Sequence, residues 1–90
     1  MPYIAKEARE KFKPILAGLP QMDHCGELNY IISQIVAVYC TQHPVCYQTL
    51  NDVAGVLSNA NMEAYRRLTA SYEDKKITEN GDIAYADLIR

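Results

Sequence analysis

The stretch HCGELNYIISQIVAVYCTQH, residues 24–43, decides the fold of this chain. Its apolar residues follow a helical spacing: Leu28, Ile31, Ile32, Ile35, Val36, Tyr39 and Cys40. Since an α-helix has about 3.6 residues per turn, these side chains form one continuous stripe. Asp23 is a suitable N-cap, and Glu27 favours the positive end of the helix dipole. The sequence therefore predicts an amphipathic helix over residues 24–43, ended by His43-Pro44.

A second and longer helix is predicted downstream. Thr49 and Asp52 have the spacing of a capping box, with Thr at the cap and an acid three residues later. Helical spacing then continues through Leu50, Val53, Ala54, Leu57, Asn61, Ala64, Leu68 and Tyr72. Gly55 and Ser58-Asn59 weaken its middle, and Asn80-Gly81 suits a helix end because both residues tolerate a left-handed backbone. The expected helix is roughly 45 Å long at ~1.5 Å per residue.

The N-terminal part predicts a shorter, interrupted helix. Residues 5–19 are mostly helix formers, but Pro14 lacks an amide hydrogen and breaks the helix or begins a second turn. The expected fold is all-α: a short broken N-terminal helix and two main antiparallel helices, the last one long, in a small bundle. We expect a single helical domain over residues 1–82 and a C-terminal tail over residues 83–90, which docks on a neighbouring chain or frays.

The size of the chain predicts an oligomer. A chain of 90 residues is one domain at most, and it buries only about two thirds of its unfolded surface. Small chains offset this with disulfides, metals or oligomerisation. The long helix exceeds what the rest of the chain can cover. We therefore predict a homo-oligomer with the long helix at its interface.

Composition excludes several other classes. Hydrophobic residues make up 49% and charged residues 22%, with a net charge of -2, which is typical of a globular chain and not of a disordered one. No apolar run approaches the ~20 residues that a membrane-spanning helix needs. The start of the chain does not have the apolar core of an export signal, so we expect a cytoplasmic protein with three reduced cysteines.

Residues 40–46 contain the clearest metal-ligand pattern. Cys40, His43 and Cys46 are of the types that zinc prefers, and two-residue gaps let neighbours converge on one ion. The alternative, which we favour, is that Cys40 is a core residue and Cys46 a loop thiol. The four glycines are isolated, and no phosphate-binding loop, GxSxG or HExxH motif is present. We therefore expect no catalytic residues, no metal and no cofactor, and a protein that is not an enzyme.

Aromatic and basic residues mark a different kind of site. Tyrosine suits interfaces and base stacking, because its ring is apolar and its tip forms hydrogen bonds. Arginine offers a planar fork for phosphate. The predicted ligand-binding residues are Tyr65, Arg66, Arg67, Tyr72, Lys75 and Lys76, together with Asn29 and Tyr30. The alternative is that Tyr65 and Tyr72 contact another subunit while the basic side chains lie in solvent at the rim of that contact.

The charge distribution argues against nucleic acid as the partner. No Lys or Arg lies between Pro14 and Tyr65, so the basic residues form two separate clusters around a centre without cations. Affinity for DNA or RNA comes largely from phosphate neutralisation along a continuous basic stripe. We expect neither nucleic acid nor a membrane among the partners.

Several short motifs carry a resemblance to a known family. They are Met1–Ile4 (MPYI), Gly26–Tyr30 (GELNY), Tyr47–Asp52 (YQTLND), Glu63–Arg67 (EAYRR), Tyr72–Ile77 (YEDKKI) and Glu79–Asp82 (ENGD). With them the chain resembles, almost entirely up to Asp82, a family of small proteins found in bacteriophage and prophage genomes that carry a domain of unknown function. The resemblance implies a phage accessory protein acting in a bacterial cytoplasm, and it implies no particular activity.

These observations lead to two expected functions. The first is a non-enzymatic homo-oligomer that binds a small anionic ligand, such as a nucleotide immune signal of the host, and sequesters it. The second is a protein-interaction factor that binds a host or phage enzyme and inhibits or recruits it. A nucleic-acid-binding regulator and an enzyme are the less favoured alternatives, because the charge distribution and the absent motifs speak against them.

Overall fold

A computed structural model describes residues 3–88, and within that range the chain is helical with no β-strand. This confirms the predicted all-α class. The elements are a 3-10 helix (Lys6–Phe12), α1 (Lys13–Ala17), α2 (Cys25–Gln42), α3 (Tyr47–Ala64), a π-turn (Tyr65–Thr69), α4 (Ala70–Asn80) and α5 (Tyr85–Leu88). The antiparallel arrangement of the two long helices stays a prediction.

The N-terminal helix is interrupted near Pro14, as the sequence predicts. The 3-10 helix ends at Phe12 and α1 begins at Lys13, with Pro14 in its first turn. Proline fits there because the first amides of a helix have no acceptor within the helix. After α1, the Gly18 amide donates to the Pro14 carbonyl at 3.0 Å.

The helix predicted over residues 24–43 is confirmed as α2, but its predicted cap is wrong. His24 is the N-cap and provides no side-chain hydrogen bond. Asp23 lies one residue too early, and its amide donates to Glu27 Oε1 at 2.8 Å. Glu27 thus reaches back from the first turn, as the acid of a capping box does. Among the described residues, no helix combines the length and the apolar character needed to cross a bilayer.

The predicted long helix is confirmed, with two differences in detail. It begins at Tyr47, so Thr49 lies inside the first turn rather than at the cap, and the Leu50 amide donates to the Cys46 carbonyl at 3.0 Å. The backbone is regular through Ser58, and its irregularity is the π-turn instead. After α4, Gly81 has a φ of 86°, which explains why the helix ends at Asn80-Gly81.

The chain divides into two compact units, residues 1–56 and residues 57–90, with the division inside α3. The first unit holds the 3-10 helix, α1, α2 and the start of α3. The second holds the end of α3, the π-turn, α4 and α5, which lies in the predicted tail. Residues 89 and 90 of that tail lie outside the described range. The single domain over residues 1–82 stays a prediction.

Neither unit has an apolar core among its described residues. No hydrophobic side chain there is buried, and the one buried polar side chain is Thr49. Large apolar side chains therefore remain exposed in both units.

Two glycines provide a matched test of the helix bounds. Gly81 has a φ of 86° and a ψ of 155°, a conformation that strains other residues. Gly55 lies inside α3, where an added Cβ would meet nothing within 4 Å outside the helix backbone. Gly81→Ala should lower the free energy of unfolding by about 1–3 kcal/mol, and Gly55→Ala should raise it by about 0.5–1 kcal/mol. Urea denaturation followed by circular dichroism, at one fixed protein concentration, measures both. Equal effects of the two substitutions would contradict these bounds.

Candidate functional site

The π-turn carries the first three predicted ligand residues, Tyr65, Arg66 and Arg67. The Ala70 amide donates to the Tyr65 carbonyl, so the hydrogen bond spans five residues instead of the four of an α-helix. Single π-turns inside α-helices are rare and occur frequently at functional sites. The backbone geometry therefore marks the same segment that the side-chain chemistry marks.

The two guanidinium groups of the π-turn share one carboxylate, that of Glu63. Arg66 Nη2 donates to Glu63 Oε1, and Arg67 Nε lies 3.9 Å from the same oxygen. The Glu63 side chain is 15% exposed, whereas those of Arg66 and Arg67 are 67% and 58% exposed. Surface ion pairs of this kind contribute only about 0–1 kcal/mol. A ligand with several negative charges can therefore compete with Glu63 for these cations.

On α4, the structure brings Tyr72 and Lys76 together. Lys76 Nζ lies 5.4 Å from the centre of the Tyr72 ring and 3.1 Å from Glu79 Oε2. The ammonium group covers one face of the ring, an arrangement worth about 0.5–1 kcal/mol at exposed sites. The nucleobase of a ligand would stack on the opposite face of the Tyr72 ring or displace Lys76. Lys75 is the neighbour of Lys76 on the same helix.

Asn29 and Tyr30 lie on α2 in the first unit, and their joining the π-turn site stays a prediction. Tyr30 lines a cleft of about 340 Å³, a volume at the low end for small-molecule sites. The cleft is lined by Pro20, Gln21, Met22, His24, Gly26, Glu27, Tyr30 and Ile31. This lining is mostly apolar and includes no Lys or Arg, so the cleft does not suit an anion.

Two carboxylates at the site, Glu63 and Glu73, are absent from the sequence prediction. The spacing of Glu63 to Arg66 and Arg67 is the one at which helical ion pairs form, so the sequence does contain this signal. Tyr65 Oη donates to Glu73 Oε2 at 3.4 Å, a long hydrogen bond across eight residues. No α-helical spacing rule predicts that contact, and it crosses the π-turn.

The π-turn itself has a sequence signal. The steps Ala64 to Leu68 and Leu68 to Tyr72 are both four residues long, which exceeds the ~3.6-residue period of an α-helix. A π-turn contains more residues per turn and takes up this excess. Two consecutive steps of four are only a weak sign of a wider turn between Ala64 and Tyr72, because ordinary α-helices also contain such steps.

The Cys40–Cys46 segment does not gather its candidate ligands. Across residues 3–88, no three His, Cys, Asp or Glu side chains lie close enough to hold a metal ion. The His43 ring packs against the Tyr39 ring, with centres 4.2 Å apart. Cys46 Sγ lies 3.6 Å from Thr49 Oγ1. Hydrogen bonds from the amide and hydroxyl of Thr49 lower the pKa of the Cys46 thiol, because they favour the thiolate.

Comparison with protein-family models gives a match. Domain of unknown function (DUF6899) matches residues 1–83. The chain belongs to this family. The DUF6899 region includes α2, the π-turn and α4, so it contains every predicted ligand residue, and it ends before α5. The expected membership of a domain-of-unknown-function family is confirmed, and the link to phage stays a prediction. No curated protein and no solved structure matches the chain significantly.

The Thr49 hydroxyl should contribute to the reactivity of Cys46. In a Cys25→Ser/Cys40→Ser background, Thr49→Val removes one donor to the thiolate and keeps the side-chain shape. The pKa of Cys46 should rise, so less thiolate is present below that pKa and alkylation by iodoacetamide should slow. Rates measured between about pH 6 and pH 10 give the pKa of both proteins. Thr78→Val, on α4, is the control and should leave the pKa of Cys46 and its alkylation rate unchanged. An unchanged pKa in Thr49→Val would refute this role of the hydroxyl.

Proposed function

We propose that this protein is a non-enzymatic binding protein that works as a homo-oligomer and takes a small anionic ligand at the π-turn. The observation that carries the proposal is the coincidence of an unusual backbone turn with Tyr65, Arg66 and Arg67. An arginine fork binds phosphate through two parallel hydrogen bonds, and a tyrosine face stacks on a base. These two chemistries together favour a nucleotide-type ligand.

The remaining predicted residues extend this site in the proposal. Lys75 and Lys76 add positive charge on α4, and Tyr72 adds a second aromatic ring. Asn29 and Tyr30 come from α2, of the same chain or of a neighbouring copy. A pocket between copies would allow residues from different helices to surround one ligand.

The proposed biological role is sequestration of a host nucleotide signal by a phage accessory protein in the bacterial cytoplasm. It is supported by the resemblance to phage and prophage proteins and by the ligand chemistry above. A binder without catalytic groups would lower the free concentration of such a signal in proportion to its own abundance. This would blunt the defence response that the signal activates.

The homo-oligomer is supported by the lack of any buried hydrophobic side chain among residues 3–88. Sedimentation velocity at micromolar concentration should give a mass that is a multiple of 10.2 kDa. Copies that cover one another's apolar surface explain this result. A mass of 10.2 kDa across that concentration range would refute the oligomer.

Ligand binding is tested with a panel of cyclic dinucleotides and ADP-ribose derivatives. A ligand at about 100 times its Kd stabilises the folded state by about 2.7 kcal/mol, so one member of the panel should raise Tm by several degrees. Arg66→Gln/Arg67→Gln should weaken its binding at least about tenfold, because each hydrogen bond to a charged group contributes about 1.5–3 kcal/mol.

The control is a second double variant that makes the same change in net charge at a different place in the chain. Lys6→Gln/Lys11→Gln also removes two positive charges, but from the N-terminal 3-10 helix. It should bind the same ligand with unchanged affinity. Equal losses in the two double variants would indicate nonspecific attraction, and a panel without any thermal shift would refute the nucleotide-type ligand.

The second candidate function is a protein-interaction factor for a host or phage enzyme. It is favoured by the large apolar side chains that remain exposed on every α-helix of residues 3–88. A pull-down from bacterial lysate that retains one stoichiometric enzyme, whose activity then changes, would support it. The Arg66→Gln/Arg67→Gln variant should retain that enzyme if the contact is apolar.

A further inference from the structure

The arginine pair of the π-turn already holds an anion of its own chain. Arg66 Nη2 donates to Glu63 Oε1, and Arg67 Nε lies 3.9 Å from the same oxygen. Glu63 lies in the last turn of α3, in the same compact unit as both arginines. Glu63 Oε1 therefore marks the point on which the two guanidinium groups converge.

The exposure of these three side chains shows which of them a ligand meets first. The Glu63 side chain is 15% exposed, whereas both arginine side chains are more than half exposed. An anion from solution therefore meets the guanidinium groups before the carboxylate. It can occupy their point of convergence only by displacing the Glu63 carboxylate. That displacement is feasible, because exposed ion pairs are weak.

Displacement of Glu63 sets a minimum charge for the ligand. A singly charged group offers the arginines the same charge as the carboxylate that it displaces, and it also loses translational and rotational freedom on binding. A group with two negative charges adds Coulomb attraction that Glu63 does not provide. Each guanidinium group carries five N–H donors. A terminal phosphate offers them three strong acceptor oxygens, one more than a carboxylate has.

We propose that Glu63 is an internal competitor for the ligand, and that the ligand displaces it with two negative charges on one phosphate or on two directly linked phosphates. The inference rests on the proposed function and names the ligand class within it. An isolated phosphodiester carries one charge and does not meet the requirement. Within the panel above, ADP-ribose derivatives, with their linked phosphates, are therefore favoured over cyclic dinucleotides.

The test compares two probes that differ in the charge of a single phosphate. AMP has a terminal phosphate with close to two negative charges above about pH 7. Cyclic AMP has the same base and sugar, but its phosphate is a diester with one charge. The full chain is titrated with each probe at about pH 7.5 and fixed ionic strength, and the amide NMR shifts of residues 63–67 are followed. AMP should bind at least about tenfold more tightly than cyclic AMP.

Two variants separate the displacement of Glu63 from a general change in charge. Glu63→Gln removes the competing charge and keeps the size of the side chain. It should tighten AMP binding about two- to fivefold, the range that exposed ion pairs contribute. Asp74→Asn removes the same charge from α4 in the same unit, next to Lys75. Because salt screens charges outside direct contact, it should change AMP affinity less than about 1.5-fold.

The outcomes separate this inference from the proposed function. If AMP binds no more tightly than cyclic AMP, or Glu63→Gln binds AMP no more tightly than Asp74→Asn, the competition by Glu63 is wrong and the nucleotide site stands. If no probe and no member of the panel shifts residues 63–67, the proposed anion site falls, and this inference falls with it. The comparison of the two probes uses the unaltered chain, so it decides even if a variant fails to fold.

Discussion

The apolar side chains that residues 3–88 leave exposed are the constraint on which the rest of this structure depends. Isolated helices of this length are marginal in water, and most helical stability in proteins comes from packing of an apolar face. Here the described residues supply the helices and their apolar faces but bury none of the hydrophobic side chains. In the proposed homo-oligomer, contacts between copies would supply this packing.

The distribution of charge separates two tasks along the sequence. The segment from Pro14 to Tyr65 lacks Lys and Arg and contains the uncharged body of α2. The cations return at Arg66 and Arg67, in the π-turn, and at Lys75 and Lys76 on α4. Removal of an uncharged surface from water costs little, whereas buried charges need partners. The proposed association would thus use the neutral segment, and the proposed anion site would use the later one.

The sequence predicts the helices of this fold well because their signals are local. The stripe from Leu28 to Cys40 and the stop at Asn80-Gly81 each depend on residues a few positions apart. The predictions at Asp23 and Thr49 are wrong for one reason: the helices begin at Cys25 and at Tyr47, so neither residue lies at the cap. Cap residues are favoured but not required, so a good cap residue nearby does not fix the first turn.

The candidate site is predictable only in part. The ion pairs of Glu63 with Arg66 and Arg67 follow helical spacing and can be read from the sequence. The contact of Tyr65 with Glu73 depends on the π-turn, whose signal is a small excess in the spacing of Leu68 and Tyr72. Whether Asn29 joins these residues depends on packing between helices distant in the sequence, for which a single chain contains no local signal.

If the proposed homo-oligomer forms, the lack of a buried apolar core among residues 3–88 has a consequence for dosage in the cell. For a chain that folds only in association with its own copies, folding and association form one equilibrium. The folded fraction then rises with the total amount of chain synthesised. At a few molecules per cell, most chains would remain unassociated and accessible to proteases. Rapid synthesis would raise the concentration until most chains are associated and protected. Such a protein responds to its own expression level without any separate regulator.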